Sequence, residues 1–184
     1  EVALDPTTGR MRAMVTNPTF EATPTAGHEY EPVNQAYRDY LEDPDKPLVN
    51  RAIGGDLYPP GSVFKLIVAA AALESGRYST TTTFENLDRY RLPGTSTMIQ
   101  NSSGNSCGDG VLVTLEQALV RSCNIPFAML AVDLGQDRIR AMAELMGFGD
   151  EIAIPLSVTP SVYPTDLELS QLALTGFGQF DVRV

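Results

Sequence analysis

The run from Val63 to Leu73, VFKLIVAAAAL, constrains this chain most, because it is apolar at every position except Lys65. Such a run predicts a helix buried on all sides, around which the remaining residues must pack. It is preceded by Tyr58-Pro59-Pro60-Gly61-Ser62. The two prolines end any upstream helix, Gly61 permits a sharp turn into the new one, and Gly76 is the expected stop. Ser62 and Lys65 stand three residues apart, so they share a helix face and the lysine nitrogen reaches the serine hydroxyl. Burial disfavours the ammonium form and leaves part of the lysine neutral near neutral pH. That pair is the minimum for a serine nucleophile activated by lysine rather than by histidine. The competing reading is a lysine whose stem lies on the apolar helix and whose amine snorkels to water.

The 184 residues, 43% of them hydrophobic, correspond to one domain or most of one. A net charge of −10 and a pI near 4.4 exclude nucleic acid and anionic membrane surfaces as partners. No apolar run approaches the ~18 residues of a membrane span, and no secretory signal is visible. The chain opens on a strand-like segment without an initiator methionine, so an excised piece is expected, with any targeting segment or anchor removed. Lys46 and Lys65 are the only lysines, which gives the second of them some weight. Cys107, Cys123 and the single His28 are too few and too dispersed for a zinc site, and no cofactor is implied. The cysteines are either free buried thiols or an extracytoplasmic disulfide. The disulfide would close a loop of about 16 residues, worth about 3 kcal/mol on the chain-entropy model.

Along the chain, Val2-Ala3-Leu4, the turn Asp5-Pro6-Thr7-Thr8-Gly9 and the alternating segment Arg10–Val15 read as strand, turn, strand. Residues 17–47 read as a surface excursion with a short helix around 33–41. Residues 79–110 read as loop with short extended pieces. Within them, Asn101-Ser102-Ser103 matches a glycosylation acceptor only by chance. Thr114 and Gln117 form a candidate capping box for a helix that frays near Ser122. Asn124 is the expected N-cap of the next helix, with Pro126 in its first turn and Gly135 as its end. A helix over about 137–146 stops at Gly147. The last is expected to start at Thr165, with Glu168 as box partner, and to end near Gly176.

Ser122-Cys123-Asn124 falls at a junction between helices. There Ser122 can relay a proton and Asn124 can hold a substrate amide by donor and acceptor together. Plain helix capping is the better explanation of such a triplet when it is taken alone. The order of motifs changes the reading. Asn50-Arg51-Ala52, then Pro59-Pro60-Gly61-Ser62-Val63-Phe64-Lys65, then Ser122-Cys123-Asn124, with Met146-Gly147-Phe148-Gly149 and Gly176-Phe177-Gly178-Gln179 later, together resemble the transpeptidase domain of a class B penicillin-binding protein. Within that family the chain resembles the actinobacterial penicillin-binding protein A group.

The resemblance implies an α+β fold of the β-lactamase/transpeptidase type, a helical subdomain plus an antiparallel sheet, with residues 1–184 as its N-terminal and helical part. It implies a peptidoglycan D,D-transpeptidase on the extracytoplasmic face of the bacterial cytoplasmic membrane, with no anchor in this chain. Ser62 would attack the carbonyl between the terminal D-alanines of a stem peptide and Lys65 would take its proton. Ser122 would relay a proton to the leaving amine and Asn124 would hold the peptide backbone. β-Lactam antibiotics would acylate the same serine, and a glycosyltransferase of the cell-wall machinery would be a partner. The superfamily's third motif, Lys-Thr-Gly, is absent, since Lys65 is the last lysine. A second chain or segment carrying it is therefore expected, together with the C-terminal sheet strands that would cover the raw edges of the N-terminal pair. Phe180 also stands where the family often has a small residue. The alternatives are a serine β-lactamase, with Glu144, Glu151 or Glu168 activating water, and a non-catalytic β-lactam or cell-wall sensor.

Overall fold

The computed structural model describes residues 1–184, which form six α-helices and three two-stranded antiparallel sheets. They divide into two compact units, residues 1–57 with 152–159, and residues 58–151 with 160–184.

In the first unit β1 (Val2–Leu4) pairs with β2 (Met11–Met14), Ala3 opposite Ala13. The turn between them is closed by Asp5, whose carboxylate accepts from the N–H groups of Thr7 and Thr8 at 3.0 and 3.3 Å. This sheet has only these two strands. Helix α1 (Tyr30–Glu42) is longer than the expected 33–41 piece, and none of its residues is buried. Its N-terminal extension brings Pro32 into the first turn, where the ring's fixed φ suits a helix and no N–H is missed.

The second unit is a helical core with two small sheets at its rim. Helix α2 (Lys65–Glu74) follows the 3₁₀ turn Gly61–Phe64 and ends before Gly76, which takes the left-handed φ of 68° that the stop requires. Strand β3 (Thr83–Glu85) pairs with β6 (Leu112–Thr114), and β4 (Arg89–Arg91) pairs with β5 (Met98–Gln100). Helix α3 (Leu115–Val120) carries the expected capping box, in which Thr114 and Gln117 each accept from the other's backbone N–H. Helices α4 (Asn124–Leu134) and α5 (Gln136–Leu145) are separated by Gly135 alone, at φ 81°. Helix α6 (Leu169–Thr175) begins three residues later than Thr165 would have set it. Glu168 is itself the cap, and its side chain trades hydrogen bonds with Gln171, while the Thr165 hydroxyl turns to Asp166.

The helix buried on all sides is α4, not α2. Helix α4 is surrounded by α2, α3, α5 and α6, and Ile125, Phe127, Ala128, Leu130 and Ala131 are all fully buried. Helix α2 has helical neighbours along one side only. Its inner face buries Ile67, Val68, Ala71 and Ala72, while Val63 and Leu66 are 70% and 57% exposed. An all-apolar run states that a helix tolerates burial; the number of neighbours decides how much of it occurs.

Phe64 anchors the start of α2. It is 1% exposed, stacks on Tyr163 at 5.8 Å and meets Phe148 edge-on at 5.6 Å. Phe64→Ala should lower unfolding stability by about 3–5 kcal/mol, read from the urea midpoint of the full-length protein. A shift below about 1 kcal/mol would show that the site collapses freely. No helix is long and apolar enough to cross a membrane.

Candidate active site

Pro60 and Gly61 set the geometry of Ser62. Gly61 takes φ 58°, and its N–H donates to the Gly178 carbonyl at 3.0 Å. Upstream, Tyr58 and Val184 exchange both backbone hydrogen bonds at 2.9 Å, and Val162 pairs with Arg183 beyond them. The approach to Ser62 is therefore held by the segment 178–184. Ser62 lies in the 3₁₀ turn just ahead of α2 rather than in the first α-helical turn. In 3₁₀ geometry side chains at i and i+3 eclipse, which brings the hydroxyl closer over Lys65 than an α-helix would.

Gly178, at φ 71°, is the close contact in this arrangement, since a Cβ there would overlap the backbone of Gly61. Gly178→Ala should push the Gly61–Ser62 turn out of place. Acylation by a penicillin should then fall on the order of 10²-fold, the cost of a small misplacement at a reacting centre. A variant that acylates at the parent rate would show that the turn relaxes without moving Ser62.

Lys65 is 0% exposed, so it does not snorkel. Its Nζ lies 3.1 Å from Ser62 Oγ, 2.7 Å from the Ser122 carbonyl, 3.1 Å from Ser122 Oγ and 2.9 Å from Asn124 Oδ1. The Phe127 ring is 5.8 Å away. Burial lowers the Lys65 pKa from 10.5 to about 8. The two shorter contacts are to carbonyl oxygens, which can only accept; the two longer ones are to hydroxyls, which can also donate. A neutral amine has two N–H donors and one lone pair. It satisfies both carbonyls and still presents the lone pair to a hydroxyl proton, the arrangement that a general base requires.

Ser122 follows α3 in the left-handed conformation, φ 55°. Its N–H donates to Leu119 O and that of Cys123 to Ala118 O, the paired bonds of a Schellman ending with serine where glycine is usual. Placing a side chain there costs roughly 1–2 kcal/mol. That turn points both Ser122 oxygens at Lys65. Cys107 and Cys123 are joined as a disulfide, with Cα atoms 5.8 Å apart, which fastens the loop ahead of β6 to this junction.

Asn124 is not the N-cap. Cys123 occupies that position without a side-chain cap bond, and Asn124 is the first residue of α4. Its amide is thereby freed to face Lys65 with Oδ1 and to donate from Nδ2 to the Gln100 carbonyl at 3.2 Å. Beside it opens a groove of about 510 Å³ lined by Ser62, Asn124, Leu174, Phe177, Gln179 and Phe180. Phe180 adopts φ 63°, a backbone form that suits a small residue better.

The structure thus brings Ser62, Lys65, Ser122 and Asn124 into one hydrogen-bonded set, although the second pair lies far along the chain from the first. Sequence reasoning missed Asn101, and it named Gly178 only within a family stretch, without its contact to Gly61; both support the set. The only signal at Asn101 was a glycosylation pattern, and that amide is buried. His28 is exposed in the bend before α1. Of the three glutamates weighed for water activation, Glu168 is taken up in capping α6, and none lines the groove beside Ser62.

A model of the penicillin binding protein transpeptidase domain matches residues 1–183. The chain belongs to the penicillin-binding protein transpeptidase family. It is 37% identical over 184 residues to peptidoglycan D,D-transpeptidase PbpA of Mycolicibacterium smegmatis, covering 100% of this chain and 37% of that protein. It is 31% identical over 164 residues to peptidoglycan D,D-transpeptidase MrdA of Acinetobacter baumannii, covering 89% of this chain and 23% of that protein. The imipenem acyl-enzyme complex of penicillin-binding protein A from M. tuberculosis superposes with a TM-score of 0.93 at 37% identity, covering 100% of this chain and 42% of that one. The likeness to mycobacterial PbpA places this transpeptidase-family chain in class B, in the PbpA group. It spans well under half the length of these relatives.

Proposed function

We propose that these residues carry the nucleophile, base and relay of a peptidoglycan D,D-transpeptidase. The observation that carries this reading is the buried Lys65 amine, hydrogen-bonded at once to Ser62, Ser122 and Asn124.

Neutral Lys65 takes the proton from Ser62 Oγ as that oxygen bonds to the carbonyl carbon between the two terminal D-alanines of a stem peptide. The carbonyl π pair moves to oxygen. The backbone N–H of Ser62, in the first turn of its helical segment, supplies one donor to that oxyanion. The C–N bond then breaks, and the leaving D-alanine amine takes its proton from the Lys65 ammonium by way of Ser122 Oγ. Asn124 Nδ2 and Oδ1 hold the peptide backbone beside the ester. The amine of a second stem peptide attacks the ester carbon and gives up a proton to Lys65. Ser62 Oγ leaves and takes that proton, so the enzyme returns unchanged with one new amide formed. A β-lactam amide enters the same first step, and its ester persists.

Several further readings follow from the family and the relatives' names. The site faces the extracytoplasmic side of the membrane, where peptidoglycan lies. A segment bearing Lys-Thr-Gly completes the wall that binds the substrate carboxylate. A glycosyltransferase supplies the glycan strands. Residues 1–184 are the N-terminal and helical part of one transpeptidase domain.

Among the residues lining the groove no carboxylate stands ready to activate water, which favours transfer to an amine over hydrolysis. The full-length protein, given a pentapeptide ending in D-alanyl-D-alanine and an amine acceptor, should release D-alanine and form the cross-linked amide. Fast turnover of a chromogenic cephalosporin would make it a β-lactamase instead. Acylation by penicillin with no release of D-alanine from any stem peptide would make it a sensor.

A further inference from the structure

Asn101 follows the last residue of β5 and is 5% exposed. Its Oδ1 accepts from the N–H of Asn124 at 2.9 Å and from that of Ile125 at 3.0 Å. Its Nδ2 donates to Asn105 O at 3.0 Å and to Leu87 O at 3.4 Å. An asparagine amide has two donor hydrogens and an oxygen with two lone pairs, and here all of this capacity is used. The first N–H groups of a helix have no partner within it. The N-cap of helix α4 is Cys123, which offers no capping side chain. Asn101 supplies the missing acceptor from a distant segment.

The consequence reaches the site. The carbonyl of the neighbouring Gln100 accepts from Asn124 Nδ2 at 3.2 Å. The dipeptide Gln100-Asn101 therefore holds both the backbone and the side chain of Asn124. A carbonyl can only accept and an ammonium can only donate. The Asn124 amide thus has one orientation that suits both neighbours, Nδ2 toward Gln100 and Oδ1 toward Lys65. Were the start of α4 to drift, Oδ1 would leave Lys65, and Ser122, two residues earlier, would follow it.

We propose that Asn101 is a positioning residue of this site, acting through Asn124 to aim an acceptor at Lys65 and keep the Ser62–Lys65–Ser122 set in register. This rests on the acyl-transfer reading above. It goes beyond capping, because a cap that only stabilised the helix would leave the fate of Asn124 irrelevant to its effect.

The test is a double-mutant cycle in the full-length protein, reading the second-order rate constant of acylation by a fluorescent penicillin. N101A should lower it on the order of 10²-fold, as expected when a reacting group is misplaced. N124A should lower it too, and the double variant N101A/N124A should be no slower than N124A, since the two act in series. N101D keeps an oxygen for both N–H groups but sets its other oxygen against the Asn105 and Leu87 carbonyls, so it should fall between the parent and N101A. The proposal is overturned if N101A acylates at the parent rate or if the two losses multiply. Should N101A not fold, the same cycle run with N101D decides, losses that do not multiply with that of N124A upholding the proposal and losses that multiply refuting it. A parent protein that no penicillin acylates overturns the acyl-transfer reading itself. A parent acylated normally beside an unaffected N101A overturns the role of Asn101 only.

Discussion

The full-length protein incubated with benzylpenicillin should gain the mass of one drug molecule, and Ser62→Ala should gain none. Two hydroxyls compete for the role of nucleophile, because Ser62 Oγ and Ser122 Oγ both lie 3.1 Å from Lys65 Nζ. Access separates them. Ser62 is exposed and lines the groove of about 510 Å³, whereas Ser122 is half-buried and is not among the residues lining that groove. Helix direction separates them too. Ser62 sits at the N-terminal start of α2's helical segment, where backbone N–H groups favour developing negative charge; Ser122 lies between the C-terminal end of α3 and the N-terminal end of α4, whose effects oppose one another. Proteolysis of the adduct should therefore place the drug on Ser62. Ser122→Ala should still be labelled, at a reduced rate. Loss of the nucleophile alone should remove nearly all of the reaction, since residues that act as a unit do not contribute additively. A labelled Ser62→Ala protein, or drug recovered on Ser122, would reverse the assignment.

How much of this site can be read in the sequence depends on how local each interaction is. The Ser62–Lys65 pair is legible because spacing of i and i+3 on a helix fixes the contact without any tertiary information. The Thr114–Gln117 capping box is legible for the same reason. Ser122 and Asn124 are different. Nothing in Ser122-Cys123-Asn124 says that its partner is a lysine on another helix, and only the resemblance to a family brought them in. Asn124 reads locally as an N-cap because asparagine is good at it. In the fold Asn101 takes over that task from outside, which releases the Asn124 amide. Asn101 itself carries no legible signal, because a buried amide saturated by four backbone groups looks like any other loop asparagine in one dimension. The misjudged burial of α2 has the same root. Val63 and Leu66 are as apolar as Val68, and only the placement of neighbouring helices distinguishes them.

Lys65→Ala should lower acylation by about 10²–10⁴-fold, the usual loss when a general base is removed. The pH profile should carry the same signature. Burial holds the Lys65 pKa near 8 instead of 10.5, and the form that accepts a proton is the neutral one. About a tenth of the protein is in that form at pH 7. The acylation rate constant should therefore rise roughly tenfold per pH unit below pH 7 and level off above the pKa of about 8. No carboxylate or second cation bonds to the Nζ, so this rise reflects desolvation rather than a neighbour's titration. Truncation has a structural side as well. It leaves the Ser122 carbonyl and Asn124 Oδ1 without their donor, at about 1–3 kcal/mol for each, and it also removes an amine whose charged form burial disfavours. These effects oppose one another, so the far-ultraviolet circular dichroism and cooperative unfolding of Lys65→Ala should be retained while its acylation collapses. A folded Lys65→Ala protein that still acylates at the parent rate, or a parent rate that is flat from pH 6 to 9, would leave Lys65 as an ordinary buried support for Ser122 and Asn124.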